Sequence, residues 1–199
     1  MPYSKPFQVE CFYSCDKKLA LDVLSGKKEL DPSENGWDWL GHGIYFWEQN
    51  PKRAWEYAVE NSKGKQYNKK RIKTPFVLGA IVELGECLNL VDQEAIEILV
   101  EAYHGLEKTM KEASEKMPKN KGDNRALDCA VIQFIHQTRA SVSKLSPFDT
   151  IRSSFSEGEP AYPGSNFTKR QHIQICVQNK EMIKGYFLPR PLNEYNPNL

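Results

Sequence analysis

The densest grouping of chemically usable residues lies between positions 41 and 57. Gly41 and Gly43 bracket His42, and Ile44-Tyr45-Phe46-Trp47 follows as a short aromatic run. Glycine lacks a Cβ, so it tolerates positive φ and lets a ligand approach the backbone closely. A tyrosine just beyond such a turn offers a ring for stacking and a hydroxyl that both donates and accepts. Asn50-Pro51 then opens a helix, because Asn caps well and Pro suits the first helical position. Ala54, Trp55 and Ala58 supply one apolar side of it. The pattern predicts a glycine-flanked strand that delivers Tyr45 to a cleft, with a helix beneath. Taken alone, Gly-x-Gly with aromatics also describes an ordinary core strand after a turn.

The longer spacing is more specific. Gly41-His42-Gly43-Ile44-Tyr45-Phe46, with Arg53-Ala54 eight and nine residues after Tyr45, resembles the signature of ADP-ribosyltransferases of the diphtheria-toxin/poly(ADP-ribose) polymerase type. In that family the tyrosine stacks on the nicotinamide ring of NAD, and the following helix lines the same pocket. The order before it is similar too: a strand, a short motif, a helix closed by Gly26, then a Pro-containing loop. Phe12-Tyr13-Ser14-Cys15 stands where the family has an aromatic followed by His-Gly, so Tyr13 replaces the histidine that holds the ribose and Ser14 the glycine. A tyrosine hydroxyl still hydrogen-bonds, and Ser14 keeps the backbone groups that would grip the carboxamide. The resemblance also assigns Cys15, Ser33, Asn35 and Gly43 to the NAD site, together with Arg53, Tyr57 and His172.

In this family nicotinamide leaves the anomeric carbon of NAD through an oxocarbenium-like transition state. A glutamate on the last catalytic strand usually holds the ribose 2′-OH. Here Lys169–Val177 is that strand by position, and it offers Gln171 or Gln174 instead. Gln174, before aliphatic residues, is the better match and Gln171 the alternative. The implied catalytic set is Tyr13, Tyr45 and Gln174. Exchanging the charged hydrogen bond for a neutral one, at roughly 1–3 kcal/mol, slows the step by about one to two decades. Glu48, Glu157 and Glu159 are candidate compensating carboxylates, each by default a surface residue.

The implied activity is NAD-dependent mono-ADP-ribosyl transfer to a macromolecule, protein or nucleic acid, by a toxin or defence effector; a toxin would also have an inhibitory partner. Polymer formation is not expected without the elongation glutamate. Two other readings stay open: a weak or inactive NAD-binding module, and an NAD glycohydrolase. The basic stretch 63–73, with Tyr67, is either a solvated connector or a border of the acceptor site.

The elements that would position these residues follow from periodicity. Phe7–Tyr13 alternates as a strand, Asp16 caps a helix over Leu19–Leu24, and 76–90 is a strand, a Gly85 turn and a short continuation. Helices are expected over 92–117 and 126–137, with His136 exposed or capping. Phe148–Phe155 is a strand, 157–167 a long loop, 169–177 and 182–188 strands, and 189–199 a loose tail. On 169–177, His172, Gln174 and Cys176 face one way, with Ile173, Ile175 and Val177 toward the core. The expected fold is α+β: the split antiparallel two-sheet core of ADP-ribosyltransferases, with flanking and inserted helices, as one domain over 1–199.

The 199 residues are 40% hydrophobic, enough for one buried core. A net charge of +1, from 27 basic and 26 acidic residues, does not advertise nucleic acid or an anionic membrane. Five cysteines without a C-x-x-C pair suggest a reducing interior and neither disulfides nor a metal site. Without a signal-like N-terminus or a membrane-length apolar run, a cytoplasmic protein without a membrane partner is expected.

Overall fold

The computed structural model describes residues 8–64, 72–122, 124–141 and 145–199. Phe7 and most of the basic stretch 63–73 lie outside the described residues. The fold is α+β, with one seven-stranded sheet in the order β4-β5-β6-β2-β1-β3-β7. The strands are β1 (Gln8–Asp16), β2 (Ile44–Glu48), β3 (Pro75–Glu83), β4 (Cys87–Asn89), β5 (Thr150–Pro160), β6 (Thr168–Val177) and β7 (Ile183–Phe187). The helices are α1 (Lys17–Leu24), α2 (Pro51–Ser62), α3 (Gln93–Glu112), α4 (Ala126–Ser141) and α5 (Leu192–Tyr195). No helix among the described residues is long and apolar enough to cross a membrane.

Two separate antiparallel sheets were expected, whereas backbone pairing joins all seven strands. The join is narrow. β1 meets β3 through nine residue pairs, from Gln8↔Glu83 to Asp16↔Pro75. It meets β2 through two, Cys11↔Glu48 and Phe12↔Trp47. Beyond Phe12 the strands part, so among the described residues the edge of β1 from Tyr13 onward has no strand beside it on the β2 side. One pair is parallel, β4 with β5. The chain leaves β3 at one side of the sheet and reaches β4 at the far edge, so 87–89 does not continue the preceding strand as expected.

Strand alternation sorts the core to two faces. On one, α1 places Ala20 and Val23 against Cys11, Cys15, Ile44, Phe46, Phe76 and Leu78. On the other, α2 places Ala54 against Phe12, Trp47 and Val77, and α4 places Ile132 and Ile135 against Ile151 and Cys176. The expected caps hold both short helices: Lys18 N donates to Asp16 Oδ1 at 3.1 Å and Arg53 N to Asn50 Oδ1 at 2.9 Å.

Four boundaries differ from expectation. β5 runs on to Pro160, so the long loop shrinks to the tip of a β5–β6 hairpin. α3 ends at Glu112, where Ala113 and then Ser114 (φ +57°) close it. α4 extends to Ser141 and buries His136, which was expected exposed or capping. The tail is packed: Asn196, 2% exposed, accepts from Val77 N at 2.8 Å and donates to Val77 O at 3.0 Å.

Candidate active site

Where β1 and β2 part, five expected site residues gather on the α2 face. The centre is Trp47, which no sequence argument singled out. It pairs across the sheet with Phe12 on one side and Gln174 on the other. The Tyr57 ring lies 5.0 Å from it, and the Arg53 guanidinium stands 6.0 Å from its centroid. Ser14 closes the β1 side, its hydroxyl donating to the Ala54 carbonyl of α2. The available signal was parity: Trp47 follows Tyr45 by two, so both leave β2 on one face.

β6 supplies the opposite wall. Gln174 Nε2 donates to His172 Nε2 at 3.0 Å, and His172 Nδ1 donates to the Arg170 carbonyl at 2.8 Å. Burial holds the His172 pKa below its usual value, which favours this neutral ring. Phe155 on β5 stacks on His172 with centroids 5.9 Å apart, and Trp39 packs on Phe155 at 4.6 Å. Gln171 is exposed and leaves the opposite face of β6, so Gln174 is the glutamine that shares the Trp47 face.

Arg53 is the charged element of the site. It is 5% exposed, its Nη2 donates to Glu157 at 2.8 Å, and Glu60 lies 3.9 Å from Nη1. Glu60 in turn pairs with Arg170. The chain Glu157–Arg53–Glu60–Arg170 thus ties the β5–β6 hairpin to α2. Tyr57, beside Arg53, has its hydroxyl pKa pushed up to about 12 by burial.

Of the three candidate compensating carboxylates, Glu157 alone reaches this group. Glu48 leaves β2 on the opposite face and makes a bidentate pair with Arg152, at 2.6 and 2.9 Å. Glu159 is exposed and pairs with Lys169 at 3.1 Å.

Other expected site residues lie elsewhere. Tyr13 and Cys15 are turned by strand alternation to the α1 face, where Tyr13 packs on Phe46 at 5.7 Å and Cys15 is buried. Neither side chain therefore lies on the Trp47 face of the sheet. Tyr45 shares the site face one step before Trp47, but it does not offer its hydroxyl to a ligand. That hydroxyl accepts from Leu40 N at 2.8 Å and donates to the Gly41 carbonyl at 2.6 Å, and burial pushes its pKa far up. Tyr45 therefore pins the glycine turn.

Ser33, Asn35 and Gly43 build the same loop. Ser33 and Gly43 exchange backbone hydrogen bonds at 2.8 and 3.0 Å, and Asn35 donates to Ser33 Oγ at 2.9 Å. At Gly43 (φ +150°) a Cβ would stand 2.5 Å from Cys176 Sγ and 2.7 Å from the Val177 carbonyl, so close packing on β6 requires glycine. Beyond Phe155, a mostly apolar cavity of about 460 Å³ opens between α3, α4 and β5. Arg125 stacks over Trp39 at its edge, at 4.6 Å.

Chemically, the group offers aromatic walls, a buried cation, a neutral imidazole and the Gln174 amide. One amide hydrogen is held by His172, which fixes the amide's orientation and leaves Oε1 able to accept from a hydroxyl.

No family model matches the chain, and no solved structure matches it. An uncharacterized protein of Methanocaldococcus jannaschii is 25% identical over 189 residues, covering 87% of this chain and 83% of that protein.

Proposed function

We propose that the chain is an NAD-dependent mono-ADP-ribosyltransferase that modifies a macromolecule, with the α+β sheet as the split core of that fold. The observation that carries the proposal is the convergence of Ser14, Arg53, Tyr57, His172 and Gln174 around Trp47, where pairing between β1 and β2 stops. NAD supplies the activated ribosyl bond. The Trp47 and Tyr57 rings are suited to stacking on a pyridine. The unpaired edge of β1 beside Ser14 is suited to hydrogen-bonding a carboxamide.

Gln174 Oε1 would accept from the ribose 2′-OH, held in place by the Gln174–His172–Arg170 chain. As the bond from the anomeric carbon to nitrogen breaks, nicotinamide leaves with its electron pair and an acceptor lone pair forms the new bond. The acceptor's proton passes to solvent.

A second reading, NAD binding without turnover, is favoured by the pairing of Glu157 with Arg53 at 2.8 Å, which directs that carboxylate away from a ribose. Incubating the protein with NAD labelled in the adenylate half and a cell lysate separates the readings. Label on protein or nucleic acid supports the transferase and identifies its acceptor class. Free ADP-ribose alone supports hydrolysis, and intact NAD alone supports the binding module.

A further inference from the structure

Arg53 and Trp47 are 5% and 7% exposed, and together they leave three buried donor nitrogens without an acceptor among the described residues: Arg53 Nε, Arg53 Nη1 and Trp47 Nε1. All are donors only. Buried donors are almost always satisfied, and unsatisfied ones on two side chains whose guanidinium and ring centroid stand 6.0 Å apart imply an acceptor that binding supplies. Part of that acceptor is imitated from within the chain. Glu157 Oε2 meets Arg53 Nη2 at 2.8 Å but leaves the Nε edge unsatisfied, so the carboxylate engages one arm of the fork. Glu60, at 3.9 Å from Nη1, attracts it without a hydrogen bond.

We propose that the Arg53–Trp47 corner is a seat for an anionic oxygen group of the ligand, and that the Glu157 carboxylate holds it until the ligand displaces it. A guanidinium fork with an indole N–H matches the several acceptor lone pairs of a carboxylate or phosphate. A neutral carboxamide fits worse, because its NH₂ would add donors to a corner that holds nothing but donors. Glu157 is also placed to withdraw. It is the last regularly paired residue before the β5–β6 register shifts, and Gly158 follows it at φ +80°. The ADP-ribosyltransferase reading identifies the ligand as a dinucleotide, and the inference rests on it for that alone. The anion is then either the dinucleotide's pyrophosphate or a carboxylate on its pyridine ring.

The test measures binding of inorganic pyrophosphate, NAD and nicotinate adenine dinucleotide by titration calorimetry, to the wild type and to Glu157→Gln, Arg53→Lys and Arg53→Gln. Removing the internal competitor in Glu157→Gln should tighten the anion that uses the seat by about tenfold. Arg53→Lys, which keeps the charge and loses the fork, should weaken it by a similar factor. Glu157→Gln decides the matter where Arg53→Gln fails to fold. Pyrophosphate that competes with both dinucleotides, bound alike, assigns the seat to phosphate. Tighter binding of the nicotinate dinucleotide than of NAD, with pyrophosphate inert, assigns it to the pyridine carboxylate.

Affinities unchanged in Glu157→Gln and Arg53→Lys, or no binding of any anion by Glu157→Gln, overturn the seat. Pyrophosphate binding that responds to both variants, with NAD neither bound nor cleaved, upholds the seat and removes the transferase reading. NAD cleavage indifferent to both variants does the reverse.

Discussion

Gln174 and His172, two residues apart on β6, share a hydrogen bond of 3.0 Å between their Nε2 atoms. An amide nitrogen donates, so the imidazole accepts there and keeps its hydrogen on Nδ1 for the Arg170 carbonyl, 2.8 Å away. The amide is thereby fixed in orientation, with its oxygen free to accept.

Gln174→Ala should lower NAD cleavage by about one to two decades, the equivalent of roughly 1–3 kcal/mol at the transition state. Gln174→Glu should preserve or raise it. A carboxylate cannot donate to His172, so in that variant the ring holds both hydrogens and titrates at higher pH than in the wild type. The His172 titration by NMR checks this independently of activity. An unchanged titration in Gln174→Glu would show that the two side chains are not paired.

Tyr45→Phe should keep the aromatic packing and lose the hydroxyl that joins Leu40 N to the Gly41 carbonyl. Leaving those two groups unpaired costs about 1–3 kcal/mol. Urea denaturation should show a lower midpoint at constant slope. Tyr45→Ala should be more destabilised, through lost packing against the cluster around Leu40 and Cys176. Wild-type stability in Tyr45→Phe would contradict the pinning role.

Asn196→Ala should destabilise the fold although only three residues follow it in the sequence. Both Val77 backbone groups lose their partner in a buried position, at a cost of about 2–4 kcal/mol for the pair. Thermal unfolding of the variant, and of the chain truncated after Tyr195, should show the same loss. A melting point matching the wild type in either would mean that the tail does not dock as described.

Acidification should destabilise the protein partly through His136, whose ring nitrogens are both buried without a partner among the described residues. Burial, aided by the Arg139 charge, lowers its pKa from 6.5 to about 4. The unfolded chain takes up this proton near pH 6.5 and the folded chain only near pH 4. Folding stability therefore falls as pH drops across that window, and this contribution is constant below it. His136→Leu should flatten the dependence between pH 6.5 and 4, measured as melting temperature against pH. A variant with the wild-type slope would show that His136 titrates alike in both states.

Much of the local structure was legible in the chain. Asp16 and Asn50 announce α1 and α2 because a short polar side chain satisfies the first free amides of a helix, an interaction spanning two or three residues. The aromatic run 44–47 announces β2, and the alternation of 172–177 announces β6. The extension of β5 to Pro160 was hidden, since residues 156–160 are largely exposed and carry no apolar alternation. There the strand is held by backbone pairing with β6, which leaves no mark in the residue types.

The candidate site divides in the same way. Sequence by itself determined which residues alternate along each strand: Trp47 with Tyr45, His172 with Gln174, Tyr13 with Cys15. It did not determine which alternating set meets α2 and which meets α1, because that depends on the side of the sheet each helix covers. Tertiary structure turned Tyr13 toward Phe46, brought Arg53 to Glu157 across 104 residues, and carried Asn196 to Val77 across 119. Local preferences act over a few residues, whereas the pairing of buried charges and backbone groups is settled only when distant segments share one core.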